Sequence, residues 1–587
     1  MERTAPAMSV TDTREVEWQF DAVDLGSVSR HLDRHHADHA GVEVADAGTV
    51  TNVDLYFDTE DHRLHRAGYA LRLRRVGRQR RAEATLKSIH STENRPGLRN
   101  RVELAQAVAG ADPEILLRDE GVVSDRVKAV AGHKPLLPLF VVRTRRRSFS
   151  IAVDGNTPGV LALDESTIEP AGGTKSRGKL SRVEVEVQPE ALSLVEPFVE
   201  ELRTSCGLQP ATLSKYEAGL LVADLKPPQP ERFIPIAGDP DDLTAGAVAL
   251  DVVRQQFSVF VAKEPGTRLG DDSEELHDMR VASRRLRAAL SLFSEVLPTT
   301  IMQLAEELRW IGSTLGKVRD LDVQLEQLGQ WRESGLDVDP AALEPLQSLL
   351  DEQWLEARAE LLAALDSRRY ERFVDRFGRA LRSRPRRGPG PWSEPVLDVA
   401  HDLLEPRFRK VRKAAKRIGP HARSDDYHRL RIRAKRLRYA LEFLTDAYSG
   451  ETRPLIKRIV ALQDILGAHQ DAEVAIGRLR GLATDEDRSL ERITVFAMGE
   501  IAQRYRHDQV DLRAEAPRAY RRVKKSMRSF WEIVDEHRPT HDAPEPPDSA
   551  AEPDDTPADG TPAAAPTASD LRESTGEPSP RRSTASP

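Results

Sequence analysis

From Glu15 to about Asp224, charged side chains recur at every second position. Glu15 and Glu17 alternate with Val16, Trp18 and Phe20, and Arg72 and Arg74 alternate with Leu71 and Leu73. Thr85 and Lys87 flank Leu86, and Arg101 and Glu103 flank Val102. Arg143, Arg145 and Arg147 share one parity, and Glu184 and Glu186 alternate with Val183, Val185 and Val187. A period of two marks strands with unlike faces. A solvated sheet face explains any one such row. Rows of cations together with rows of carboxylates on the same kind of face are what a closed barrel with a charged lumen needs. There, carboxylates can hold Mg²⁺ or Mn²⁺ through hard oxygen ligands, while Arg and Lys grip phosphate oxygens. The chemistry indicated is that of a polyanion handled with a divalent metal.

A second set of cations follows a helical period. His277, Arg280, Arg284 and Arg287 are spaced by three, four and three, and fall within an arc of roughly 80° at about 100° per residue. Met279, Leu286, Leu290 and Phe293 take the opposite side. The pattern returns at His428, Arg431, Lys435 and Arg438, an offset of 151 residues that Gly316/Gly467 and Asp320/Asp471 share. A constant offset over separated motifs is an internal duplication. Unpaired cations at helical neighbours repel by roughly a few tenths of a kcal/mol per pair. The sequence accepts that penalty twice, and a bound polyanion would reverse its sign with a strong dependence on salt. The basic face has almost no aromatic for base stacking, Tyr439 standing at its edge, so no specific nucleic acid is expected.

The elements that must carry these residues follow from length and composition. A chain of 587 residues exceeds one core. Strand patterning ends near Asp224, a proline-rich acidic stretch reads as a linker over 223–242, and a 3.6-residue period then runs to about Val534. A break at 382–391 divides the copies, at about 243–380 and 392–535. The net charge of −8 is supplied almost wholly by residues 539–587, with ten Asp/Glu against three Arg. That tail, 536–587, lacks the apolar content to form a core and reads as disordered. The single Cys206 excludes an intrachain disulfide, and no apolar run approaches a membrane span. The expectation is a cytoplasmic protein without a membrane partner; oligomeric state is not legible. His31, His35 and His39 could hold a metal on one helix face, although a solvated face is the simpler reading.

The ordered segments Glu15-Val16-Glu17-Trp18-Gln19, Tyr56-Phe57-Asp58-Thr59, Arg66 to Arg74, Thr85-Leu86-Lys87, Arg101-Val102-Glu103, Leu163-Asp164, Glu184-Val185-Glu186 and Ser214-Lys215-Tyr216 resemble the CYTH domain of the triphosphate tunnel metalloenzymes over residues 13–222. The resemblance implies an antiparallel eight-stranded β-barrel tunnel that hydrolyses a triphosphate with Mg²⁺ or Mn²⁺. It places Glu15, Glu17, Glu103, Asp164, Glu184 and Glu186 at metal, and Arg72, Arg74, Lys87, Arg143, Arg145 and Lys215 at phosphates. Glu15, Glu17 and Gln19 would be the catalytic row. The family's E-x-E-x-K ends here in Gln19, and an amide does not supply the ammonium's charge.

Residues 243–535 resemble the CHAD domain, through His277-x-x-Arg280 to Arg287, its repeat at His428, and Leu315-Gly316 with Asp320. That likeness implies two four-helix halves around a basic channel for inorganic polyphosphate. It assigns to the ligand His277, Arg280, Arg284, Arg287, Lys317, His428, Arg431, Lys435 and Arg438. The two histidines can alternatively be read as metal ligands. The whole is thus expected to be an α+β multidomain chain, a barrel tunnel followed by an all-α duplicated helical bundle and the tail, associated with polyphosphate granules. The leading reading is a triphosphatase with a polyphosphate anchor. The alternative is a non-catalytic protein whose two domains both bind polyanions. Since the tail cannot support a core, a chain ending at Thr540 should melt at the full-length temperature in calorimetry, and a clear drop would show that the tail docks.

Overall fold

The structure, a computed structural model, describes residues 13–34, 41–77, 79–93, 95–173, 177–227, 243–333, 340–382, 388–485 and 490–536. Most of the linker, the tail from 537 on, and His35 and His39 of the histidine row lie outside the described residues. By their internal contacts the residues fall into two units, one of them the barrel with residues 258–279, the other the remaining helices.

Eight strands build the barrel: β1 (Thr13–Asp21), β2 (Val42–Asp58), β3 (Tyr69–Val76), β4 (Ala82–Ser88), β5 (Leu98–Val108), β6 (Leu137–Val153), β7 (Asn156–Pro170) and β8 (Gly178–Val187). They run antiparallel in the order β5-β4-β3-β2-β6-β7-β8-β1, and β5 pairs with β1 to close the ring. A two-residue β9 (Gln209–Pro210) pairs with the end of β1. Closure leaves no free edge strand and sets one parity of each strand facing inward.

The sequence decides which parity that is. Val16, Trp18 and Phe20 of β1 point outward into an apolar cluster with α1 (Leu25–Arg34) and α5 (Leu192–Ser205), which cover that side of the barrel. Leu71, Leu73 and Leu86 do the same beneath α2 (Arg63–Arg66), α3 (Glu114–Arg118) and α4 (Val122–Ala131). The hydrophobic core thus lies between sheet and helices, and the charged parity is left to line the interior.

One end of the lumen is furnished by α6 (Lys215–Val222). Its entry is fixed by a capping box in which Ser214 Oγ accepts from the Glu217 amide at 3.2 Å and Glu217 Oε2 accepts from the Ser214 amide at 2.7 Å. This pins Lys215 at the first helical position and so aims it. The helix packs through Gly219 onto the ring of Phe140, itself stacked on Tyr56 at 4.7 Å.

The remaining helices are α7 (Ala245–Ala262), α8 (Glu264–Leu269), α9 (Ser273–Leu292), α10 (Thr299–Met302), α11 (Ala305–Glu333), α12 (Glu344–Leu365), α13 (Arg368–Arg382), α14 (Val396–Ala415), α15 (Ser424–Phe443), α16 (Arg453–Ala483) and α17 (Arg492–Glu536). The duplication is visible in their bounds: α7 and α14 start 151 residues apart, and α9 and α15 both start and end 151 apart. Among the described residues no helix is long and apolar enough to cross a membrane.

A Cβ at position 219 would fall 2.0 Å from Phe140 Cε2, and the fully buried ring has nowhere to move. Gly219→Ala should therefore cost about 1–3 kcal/mol, read as a melting-temperature loss of several degrees. An unchanged melt would mean that α6 is held by other contacts.

Candidate functional site

The barrel interior is a cavity of about 420 Å³. Glu15, Glu17 and Gln19 of β1 line it beside Glu184 and Glu186 of β8. Arg72 and Arg74 of β3, Thr85 and Lys87 of β4, Arg101 and Glu103 of β5, Arg146 of β6 and Lys215 of α6 complete most of the wall. Its charges pair in three groups. The Lys87 ammonium meets Glu15, Glu17 at 2.9 Å and Glu103 at 3.3 Å, and Arg101 Nη2 donates to the same Glu17 Oε1 at 2.6 Å. Arg146 grips Asp164 through Nε and Nη2 at 2.8 and 2.6 Å and reaches Glu184 at 2.5 Å, while Lys215 joins the same two acids at 2.5 and 2.9 Å. Arg74 holds Asp54 bidentately at 2.7 and 2.9 Å, and Arg72 donates to Thr85 at 3.1 Å.

These contacts drive the acids apart. Burial favours the neutral form of Glu17, but Lys87 and Arg101 prevail and hold it down at about 2. Glu15 is pushed up to about 9 by burial and by the adjacent Glu17 and Glu103, against the pull of Lys87. Glu186 is raised by burial and by Glu17. Glu184 is also deeply buried, yet Lys215 and Arg146 take it well below the usual carboxylate range. The β1 end of the tunnel thus crowds carboxylates more than its cations can satisfy.

A hard divalent ion would relieve that shortage, and the oxygen donors at Glu15, Glu17, Glu103 and Glu186 suit it. In this structure the space among Glu15, Glu17 and Glu103 is taken by the Lys87 ammonium. Among the described residues no three potential ligands stand in position to share one ion. Asp164 is sealed off, with its oxygens given to Arg146 and Lys215.

Two of the phosphate contacts that the resemblance implied do not reach the lumen. Arg143 and Arg145 lie on the outer face of β6, with side chains 56% and 64% exposed, beside Glu169 and Glu165 of β7. Arg146, between Arg145 and Arg147, is the residue that enters the lumen. The dense run of arginines hid the parity, which the folded barrel shows in the buried Thr144, on the same strand face as Arg146. Arg101 was also missed, although it shares a strand face with Glu103. Arg72, Arg74, Lys87 and Lys215 lie in the tunnel.

In the helical region, α9 and α15 meet side by side: Arg285 Nη1 donates to Glu442 at 2.6 Å and the rings of Phe293 and Phe443 are 6.4 Å apart. The duplicated contacts match, Arg280 pairing with Asp320 at 2.6 Å and Arg431 approaching Asp471 at 3.9 Å. Arg284 and Lys435 then share the space between the helices with less compensation, Arg284 donating to the Tyr439 hydroxyl at 3.4 Å, while Arg438 pairs with Glu442 at 3.4 Å. Lys435 is lowered to about 7, first by burial and then by Arg284 and Arg431, with Arg438 adding to them and only Asp471 opposing. His428 is held by Gln470 Oε1 at 2.7 Å. His277 occupies the matching place on α9, and Arg287, offset by 151 from Arg438, lies half-buried one turn beyond Arg284. Lys317 departs from expectation, being 58% exposed and paired with Glu360 of α12 at 2.6 Å.

Comparison with known proteins agrees with this division. The CYTH domain family matches residues 28–219 and the CHAD domain family residues 251–480. An uncharacterized protein of Mycobacterium tuberculosis strain H37Rv is 27% identical over 487 residues, covering 78% of this chain and 87% of the relative. Among solved structures, the CHAD domain from the plant Ricinus communis is 27% identical, covering 49% of this chain and 96% of that one with a TM-score of 0.39. HpAC1 from Hippeastrum, described as a candidate adenylyl cyclase with a dominant triphosphatase activity, is 19% identical, covering 35% and 94% with a TM-score of 0.26. On the family matches, this chain contains a CYTH domain followed by a CHAD domain.

Proposed function

We propose that the tunnel binds and hydrolyses inorganic triphosphate, or a related triphosphate, with Mg²⁺ or Mn²⁺, and that the basic surface between α9 and α15 binds inorganic polyphosphate. The observation that carries the reading is the lumen itself, a wall rich in charged side chains in a barrel whose two larger apolar clusters face out against the covering helices. Its wall holds seven cations, Arg14, Arg72, Arg74, Lys87, Arg101, Arg146 and Lys215, against six carboxylates, Glu15, Glu17, Glu83, Glu103, Glu184 and Glu186. A net charge near zero cannot neutralise a triphosphate. A divalent ion on the carboxylates can release the cations to the phosphates.

In this reading Arg72 and Arg74 orient the phosphate chain from β3, Arg146 and Lys215 from the opposite wall, and Lys87 moves from its carboxylates to a phosphoryl oxygen. Glu15, Glu17, Glu103 and Glu186 would hold the metal, which when bound polarises a phosphoryl oxygen toward attack by water. The closed barrel limits competing solvent around these charges, so each contact acts in a low dielectric. A second reading, binding without turnover, is favoured by Gln19, whose Oε1 is buried without a hydrogen-bond partner where an ammonium would add charge. A phosphate-release assay with tripolyphosphate and Mg²⁺ or Mn²⁺ separates the two. Turnover is expected, and Glu17→Gln should lower it by roughly a hundredfold or more. Tight tripolyphosphate binding with no release from the wild type would leave only the binding reading.

The helical surface generates its own expectations. Replacing Arg280, Arg284, Arg431 and Lys435 together by Ala in the full chain should weaken binding of long-chain polyphosphate and flatten its salt dependence. Unchanged affinity across several salt concentrations would remove the surface as the site, and equal affinity for double-stranded DNA at matched phosphate concentration would remove polyphosphate as its particular ligand. A polyanion binds the ammonium form of Lys435, which the free protein loses above about 7. Binding then takes up a proton, and affinity should fall as pH rises through that value, by at most roughly tenfold per unit for the one proton. Lys435→Arg should flatten the profile in isothermal titration.

A further inference from the structure

We propose that Lys435 is a site of covalent modification, its amine taking an acyl group from a small acyl phosphate whose phosphate the neighbouring guanidinium groups hold. The modification does not depend on the polyphosphate reading of this surface; only its consequence for binding does.

Lys435 sits on α15 one turn after Arg431 and one turn before Arg438, so the three share one stretch of helix surface. Arg284 of α9 faces them from the neighbouring helix and reaches the Tyr439 hydroxyl. Partners are unequally supplied. Arg280 has Asp320 at 2.6 Å and Arg438 has Glu442 at 3.4 Å, while Asp471 stands 3.9 Å from Arg431 and is the acid that acts on Lys435. Burial raises Asp471 toward its neutral form, which weakens that pull. Among the described residues the Lys435 amine has no hydrogen bond or ion pair, and the Nε groups of Arg431 and Arg438 are buried without acceptors. Lys435 itself is only half-buried, which leaves a way in for a small molecule.

An ammonium so placed is disfavoured by desolvation and by like charge, so the neutral amine with its free lone pair is a main form near neutral pH. The guanidinium groups stay charged throughout that range. The site therefore combines an unprotonated nucleophile with permanent cations that have N–H groups to spare. The phosphate of an acyl phosphate suits those N–H groups, and its acyl carbon is the electrophile. In the reaction the nitrogen lone pair forms a C–N bond to the acyl carbon, the bond from that carbon to the bridging oxygen breaks, and phosphate leaves with the electron pair. The proton lost by nitrogen goes to the phosphate, so amine and acyl phosphate become amide and hydrogen phosphate. The amide carries no charge, and the surface proposed for polyphosphate loses one cation.

The test uses acetyl phosphate on the full chain at neutral pH, with acetylation at each lysine followed over time by peptide mass spectrometry. The exposed Lys410 and Lys413 of α14 are the internal references. Lys435 should be acetylated roughly tenfold faster than either, because far more of it is neutral, and the preference should shrink as pH rises toward the ordinary lysine range. Inorganic phosphate should slow Lys435 by competing for the guanidinium groups and leave Lys410 unaffected, and Arg284→Gln should slow Lys435 several-fold. A Lys435 rate no greater than that of Lys410 overturns the proposal. The N-hydroxysuccinimide ester of acetic acid, an uncharged donor, separates choice of reagent from reactivity of the amine: if it prefers Lys435 as strongly as acetyl phosphate does, the acyl-phosphate assignment fails. Both decisive readouts are made on the wild type, so they hold even if Arg284→Gln does not fold. Fast acetylation of Lys435 in a chain that does not bind polyphosphate would sustain the site and overturn only the polyphosphate reading.

Discussion

Charges sealed inside a barrel must be paired, and the rest of this fold follows from that constraint. Taking an ion out of water costs several kcal/mol, and leaving one buried without its partner costs about 3–5 kcal/mol. Glu17, Asp164, Glu184 and Arg101 are each at least nine-tenths buried, and each has an oppositely charged neighbour from a different strand or from α6. The pairs therefore act as cross-links through the lumen. They resist collapse of the barrel, while the outward leucines, valines and aromatics under α1, α4 and α5 supply the hydrophobic stabilisation that a barrel interior would ordinarily provide.

In the proposed reading, the two sites would meet anion binding in opposite ways. The tunnel is close to neutral, its cations held in place by carboxylates, so the phosphate affinity proposed for it would be tied to whatever neutralises those carboxylates. The surface between α9 and α15 is left with surplus positive charge. Its burden shows in Lys435, whose ammonium burial and neighbouring arginines make it only marginally stable at neutral pH. Asp320 and Asp471 steady one arginine in each repeat, and Glu442 serves both Arg285 and Arg438. A balanced lumen suits a short ligand that arrives with metal, and a surplus surface suits a long flexible polyanion that displaces counterions.

The sequence by itself determined the period-two rows, the duplicated helices at a 151-residue offset and the barrel-then-helices order, since each depends on local spacing and on which face is apolar. The family likeness of its ordered segments also put Arg72, Arg74, Lys87 and Lys215 at the tunnel, and all four line the cavity. Only the tertiary structure decided which acid meets which base, that Arg146 and not Arg143 or Arg145 turns inward on β6, and that Lys317 is drawn outward to Glu360. Those outcomes depend on inter-strand register and helix packing. Register is a relation between distant segments, and where several arginines run consecutively, local patterning carries no information about which of them the closed barrel will face inward.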